Sequence, residues 1–410
     1  MIKSKLSSNI IFLYFLTIAK IVFPLLTFPY LTRVLSVESY GMVSYVRATI
    51  IYMQLFVEFG FGLSAVKDIA RLQGDKRRIG IITGNVIVGK LFLCVIAGGI
   101  LFGLCFTIPL LYQNFLYTFL SFIVVIQSVF LLDYLFRGIE EMQLVSVSFV
   151  IMKGISTGLT FLLVNNDMDL LWIPGLDILS SFLAIFFVWY QLKKLHISIF
   201  VSNLWDICQS LKESFIYFLS NMATSAFGSL NTMLIGLYIP DVKEVAYWSV
   251  AMTLVSGAQA LYNPITGGIY PQMVKNPSLH ILKKLFMLFM PCVIVGCLFT
   301  YFFAPEIIRT INGPQYDRAA YLLQLLVPVL FFSFPSMLIG WPTLGAIDKV
   351  ADVTKTTVFT CFFQMVGLAV LIIGNCFTVV TIAILRGVTE AVLLLSRLGY
   401  LIRYKNEFGK

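Results

Sequence analysis

Three ionisable residues, Lys20, Arg47 and Glu58, fall well inside apolar stretches near the start of the sequence. An ionised side chain at the centre of a membrane helix costs roughly 2.5–3.5 kcal/mol on translocon scales, so such residues need water, a partner or a charged cargo. Lys20 and Arg47 suit a phosphate-bearing anion, because a guanidinium donates through a planar fork and an ammonium acts as a point charge. Glu58 is the one acid deep in its stretch and is a candidate for proton or ion coupling. These types do anion binding and proton exchange; they do not assemble a nucleophile with a base.

Spacing groups them further. Ser44, Arg47, Gln54 and Glu58 follow at intervals of 3, 7 and 4, and Thr17, Lys20, Pro24 and Thr27 at 3, 4 and 3. At 3.6 residues per turn each set shares one helix face, and two such faces on neighbouring antiparallel helices can line one cavity. Arg47 and Glu58 are about 16 Å apart along a helix axis, too far to pair directly. Lys90 and Lys153 extend the positive lining, or instead snorkel or pair with Asp133 and Asp177. Asp133 with Arg137, and Arg386 with Glu390, read as structural i,i+4 pairs. In the second half, Asn221, Ser225 and Asn231 stripe one span and Ser249 and Asn263 the next. Their amides and hydroxyls suit a glycan, which needs donors and acceptors. Interhelical hydrogen bonding is the alternative.

The elements that must position these residues are membrane helices. Of 410 residues, 59% are hydrophobic and only 12% charged, against about 25% charged in a soluble domain. Apolar runs of about 20 residues, enough to cross a bilayer core, predict twelve spans at about 8–33, 40–65, 80–108, 113–137, 142–164, 170–191, 214–239, 244–268, 284–304, 319–343, 352–373 and 377–402. The expected fold is an all-α integral membrane protein with two six-helix lobes around a central cavity. Residues 1–192 form the first lobe, 193–213 a cytoplasmic linker and 214–410 the second lobe. Lys and Arg crowd alternate connections, as at Lys76, Arg77, Arg78, Lys193 and Lys194. The positive-inside rule then places both termini in the cytoplasm. The same distribution explains the net charge of +9 by topology and argues against a nucleic-acid partner.

Seven cysteines are scattered without a CxxC, and the two histidines, His196 and His280, fall in expected loops. Neither a disulfide framework, a metal site nor another cofactor is expected. The N-terminal run is read as a span and not as a cleaved signal peptide, since no small-x-small site follows it. The segment Glu38-Ser39-Tyr40-Gly41 is weakly echoed around Lys243-Glu244-Val245-Ala246, at an offset of 205 residues from Gly41 to Ala246. That is half the chain and fits a parallel internal repeat.

At Phe23-Pro24-Leu25-Leu26-Thr27-Phe28-Pro29-Tyr30-Leu31-Thr32-Arg33, then Glu38-Ser39-Tyr40-Gly41 and Phe56-Val57-Glu58-Phe59-Gly60, the chain resembles bacterial O-antigen and polysaccharide repeat-unit flippases. These form the polysaccharide transporter branch of the multidrug/oligosaccharidyl-lipid/polysaccharide exporter superfamily. Ser36 stands where many relatives carry Gly. The resemblance implies alternating-access transfer of an undecaprenyl-pyrophosphate-linked oligosaccharide across the bacterial inner membrane, without covalent chemistry. It also implies a polymerase and a chain-length regulator of the same pathway as partners. On that reading Lys20, Arg47, Lys90 and Lys153 bind the pyrophosphate, and Asn221, Ser225, Asn231, Ser249 and Asn263 contact glycan. The rivals are a drug antiporter of the same superfamily, which a positive lining opposes, and a polysaccharide polymerase or ligase, whose large basic periplasmic loop this chain lacks.

Overall fold

The structure, a computed structural model, describes residues 2–72, 74–225 and 228–408. Among them all regular structure is helical, and the chain divides into two compact units, Met1–Met222 and Ala223–Lys410. Among the described residues ten helical stretches are long and apolar enough to cross a membrane.

The first unit contains α1 (Ile2–Val34), α2 (Val37–Glu58), α3 (Phe61–Arg71), α4 (Lys76–Thr107), the single turn α5 (Pro109–Gln113), α6 (Phe115–Ser128), α7 (Asp133–Gly138), α8 (Met142–Leu163), α9 (Trp172–Lys194) and most of α10 (Leu204–Ser225). α1 packs on α8, α8 on α9, and α6 on α9. Ser36 caps α2 by accepting from the Ser39 N–H at 3.2 Å. This satisfies one of the donors that a helix start leaves open. The α1–α2 turn is also tied sideways. Its Ser36 N–H donates to Asp167 Oδ1 at 2.9 Å, and the Tyr30 hydroxyl lies 2.9 and 2.8 Å from the carbonyls of Phe161 and Val164. At the other end α2 stops after Glu58, where Phe59 and Gly60 both take positive φ. The chain leaves as the amphipathic helix α3 instead of running on to residue 65 as the apolar pattern predicts.

The connection after α9 is fastened to α4. The Phe200 N–H donates to the Gly80 carbonyl at 3.3 Å, and Ser202 donates to Asn85 Oδ1 from both its N–H and its hydroxyl at 3.0 Å. A Cβ at Gly80 would sit 1.9 Å from the Ser198 carbonyl oxygen, so only glycine allows this approach. Ser214 on α10 meets Ser64 on α3 at 2.6 Å. Through these contacts 197–203 and the start of α10 become part of the first unit, and the compact boundary falls inside α10.

The second unit holds α11 (Ser229–Tyr238), α12 (Val242–Ala260), α13 (Asn263–Lys275), α14 (Leu279–Phe302), α15 (Ala304–Asn312), α16 (Asp317–Leu338), α17 (Val350–Ile373) and α18 (Val379–Arg403). α16 packs on α12, α14 and α18 and is its most enclosed helix. The sequence predicts single spans over 214–239 and 244–268, and the structure breaks both. Gly228 leaves helical dihedrals between α10 and α11, and Pro264, in the first turn of α13, starts a new helix after α12. A proline lacks an N–H, so it fits a helix start and not an interior. Hydropathy carries no dihedral information and misses such breaks.

α16 ends in a π-helical turn, Ile339–Leu344, bent at Gly340 (φ −62°, ψ −112°) and containing Pro342. Pro342 cannot donate to the Leu338 carbonyl, and the Thr343 hydroxyl does so instead at 2.8 Å. The buried Arg397 of α18 reaches the same bend and donates from Nη1 to the Ser336 carbonyl at 2.7 Å. Freed carbonyls inside a membrane helix persist where side chains cover them in this way.

Candidate functional site

α2 presents one face to a cavity because its other face is packed: Tyr45, Val46, Ala48 and Thr49 are almost fully buried while Arg47 is exposed. The cavity has a volume of about 320 Å³ and lies wholly within the first unit. α1 contributes Pro24 and Thr27, α2 Arg47 and Gln54, α6 Tyr117 and Ser121, α8 Lys153, Ser156, Thr157 and Thr160, and α9 Pro174 and Asp177. Hydroxyls therefore surround two cations and one acid.

The two cations are held differently. The Lys153 ammonium contacts Asp177 Oδ1, which also accepts from the Ser156 hydroxyl at 3.3 Å. Arg47 forms no ion pair with any acid among the described residues. Its charge and that of Asp177 both act on Tyr117, which lines the cavity beside them. The site thus carries one compensated cation and one uncompensated one.

Lys20 and Lys90 stand elsewhere. Lys20 lies one turn before Pro24, the cavity-lining α1 residue nearest to it, with its ammonium 5.3 Å from the Phe149 ring centroid. Lys90 is buried, 5.2 Å from the Tyr134 ring centroid, in the field of Glu58 and Asp133. Lys20, Lys90 and Arg137 in turn act on Asp133. Asp133 and Arg137 are not joined by an ion pair among the described residues, whereas Arg386 and Glu390 are, at 2.8 Å and buried. Glu58 ends α2 and accepts from Gln54 Nε2 at 3.0 Å. Gln54 links it to the cavity, which Glu58 itself does not line. Of the α2 face Ser44, Arg47, Gln54 and Glu58, Arg47 and Gln54 line the cavity and Ser44 and Glu58 do not, because helix periodicity gives a face and not the depth at which a neighbouring helix meets it.

Ser156, Thr157 and Thr160, which share a face of α8 with the expected Lys153, escaped the sequence reading, although the spacing of 3, 1 and 3 from Lys153 marks that face. In the second unit, Asn231 is enclosed, its Oδ1 accepting from Gln364 Nε2 at 3.2 Å, and Gln364 Oε1 accepts from the Thr389 hydroxyl. Asn221 and Ser225 are half-buried on α10 and Ser249 half-buried on α12, while Asn263 is exposed at the start of α13. Among the described residues no group of three His, Cys, Asp or Glu side chains could hold a metal ion.

The model of the family "Polysaccharide biosynthesis protein" matches residues 6–277. Two proteins named "Putative O-antigen transporter" are each 28% identical to this chain. The one from Escherichia coli (strain K12) aligns over 80% of this chain and 81% of its own length, and the one from Shigella dysenteriae over 82% and 85%. Among solved structures, the lipid II flippase MurJ in an inward closed conformation superposes with a TM-score of 0.72, covering 96% of this chain and 87% of its own, at 12% identity. A multidrug resistance MATE family transporter of the MOP superfamily, facing inward, gives 0.64 over 95% and 99% at 15% identity. At those identities the likeness establishes the fold, an all-α membrane architecture of about twelve helices in two lobes. By the match over most of its length, the chain belongs to the polysaccharide biosynthesis protein family.

Proposed function

We propose that this protein flips undecaprenyl-pyrophosphate-linked O-antigen or other polysaccharide repeat units from the cytoplasmic to the opposite leaflet of the bacterial inner membrane by alternating access. The observation that carries this is Arg47, a cation without an acidic partner in a hydroxyl-rich cavity inside a membrane-embedded unit. An uncompensated guanidinium there attracts a diphosphate and repels the cationic cargo of a drug antiporter. The relatives named as O-antigen transporters support the sugar class, and a protein of the same fold flips lipid II. Lys20 supplies a longer-range positive field. Glu58, joined to the cavity by its hydrogen bond from Gln54, is the acid that this reading assigns to ion coupling. In the second unit Asn263 is the stripe residue open to a glycan. Both termini face the cytoplasm on this reading, as the Lys and Arg distribution supports.

The experiment is complementation of a strain lacking its own O-antigen flippase, with surface polysaccharide and accumulated lipid-linked repeat units measured at matched protein levels. The native chain restores export and Arg47→Glu does not. Equal restoration by both, or resistance to cationic dyes in place of polysaccharide export, overturns the assignment.

A further inference from the structure

We infer that Asp177 is a built-in competitor for the substrate's phosphates: it occupies Lys153 in the empty cavity, and an arriving diphosphate bound first by Arg47 takes its place. This rests on the flippase reading of the same cavity and adds a residue that sets how tightly the substrate is held.

Lys153 and Asp177 come from different helices, α8 and α9, and both side chains line the cavity that Arg47 lines. Each is about one-third exposed, with 34% of its side-chain surface accessible, so the pair belongs to the weak class of ion pairs that solvent screens. The Asp177 carboxylate also accepts from the Ser156 hydroxyl. It therefore keeps a donor when the ammonium leaves, and the exchange strands no buried charge. A diphosphate offers several anionic oxygens, enough to meet a guanidinium fork and an ammonium together. With both cations free, the cavity would hold such a group tightly and release it slowly. Asp177 lowers that affinity, because each binding event must displace an internal carboxylate and each release is helped by its return. Transport needs binding that is reversible on both sides of the membrane, and this is a means of limiting it. Tyr117, Arg47 and Asp177 line the one cavity together.

The test uses the full chain in lipid nanodiscs with farnesyl diphosphate as probe, measuring Kd for the native protein, Asp177→Asn, Asp177→Ser, Lys153→Met, the double Lys153→Met/Asp177→Asn and Arg47→Met. Two neutral replacements at 177 guard against one that fails to fold. Asp177→Asn and Asp177→Ser should bind about two- to fivefold more tightly than the native chain yet export less polysaccharide. Lys153→Met should bind more weakly, and the double variant should return close to the native Kd. Unchanged or weaker binding in both neutral 177 variants, with binding still dependent on Arg47, overturns the competitor role alone. A double variant as tight as Asp177→Asn overturns it too, since Lys153 would then not reach the phosphates. Absence of binding by every protein, the native chain included, overturns the flippase reading together with this inference.

Discussion

The Arg397 guanidinium donates to the Ser336 carbonyl at 2.7 Å across the bend that closes α16. It also reaches the Ser336, Thr356 and Thr357 hydroxyls, at 3.2, 3.5 and 3.2 Å. Arg397→Ala removes the donor from a buried carbonyl and should destabilise the protein by about 1–3 kcal/mol. A Cβ on Gly340 would sit 2.9 Å from Arg397 Nη1, so Gly340→Ala should lower the unfolding temperature in the native chain and much less in the Arg397→Ala background. Thermal unfolding of the four proteins in detergent measures this coupling.

Arg47 and Lys90 should separate activity from folding. Arg47 faces the cavity without an ion-pair partner among the described residues, so Arg47→Ala should reach the membrane at native levels and lose most export. Lys90 is buried against the Tyr134 ring in the field of Glu58 and Asp133, and Lys90→Ala empties that enclosed site and removes one of the cations acting on Asp133, at a cost of about 0.5–3 kcal/mol. Membrane protein should fall with it. Quantitative blotting beside surface polysaccharide decides between the two behaviours.

The chain of hydrogen bonds from Asn231 through Gln364 to Thr389 is enclosed. Asn231→Ala should therefore reduce thermal stability, by about 1–2 kcal/mol, and lower export of every repeat unit alike. Asn263→Ala should leave stability unchanged and alter export of some repeat units more than others. Parallel export assays with chemically different repeat units, each with protein quantified, check both.

Gly80→Ala should loosen the segment after α9, because the new Cβ would collide with the Ser198 carbonyl. Limited proteolysis should then cut between residues 196 and 203 at a lower protease dose than in the native chain. An unchanged cleavage pattern would mean that the segment is held without the close approach at Gly80.

Orientation is testable at Met168, which is 93% exposed in the α8–α9 connection. In a Cys-less background, Met168→Cys should react with an impermeant thiol reagent in intact cells, and Lys76→Cys or Lys194→Cys only after the membrane is opened. The reverse labelling would place the termini outside.

Length and polarity made most of the architecture readable in the sequence. Apolar runs of the right span, with Lys and Arg in alternate gaps, announce membrane helices because the bilayer imposes both requirements directly. Arg47 was readable as well, because its exposure follows from the α2 stripe alone. Its relation to Lys153 and Asp177 was not: these sit on three helices, and spacing within one helix says nothing of the depth at which others cross it. The same blindness coupled Lys20 to Arg47 at the sequence level, whereas the cavity brings Lys153 to Arg47. The breaks at Gly228 and before Asn263 were hidden because hydropathy averages over a residue that leaves helical dihedrals in the first case and over the missing N–H of Pro264 in the second.

The ties at Tyr30 and Ser36 anchor one end of α1. Beyond the anchor, Pro29 and Pro24 each delete a backbone hydrogen bond from the helix, so bending stiffness is lowest next to the anchored end. Bending of α1 is then concentrated at the prolines, with Thr27 between them. Past Lys20 the Ser146 hydroxyl of α8 donates to the Phe12 carbonyl at 2.8 Å, so α1 is tied to α8 on both sides of its prolines and yields as a bow held at two points. An α1 displacement of this kind changes the width of the way in toward Arg47 while leaving Tyr30 in contact with the carbonyls of Phe161 and Val164.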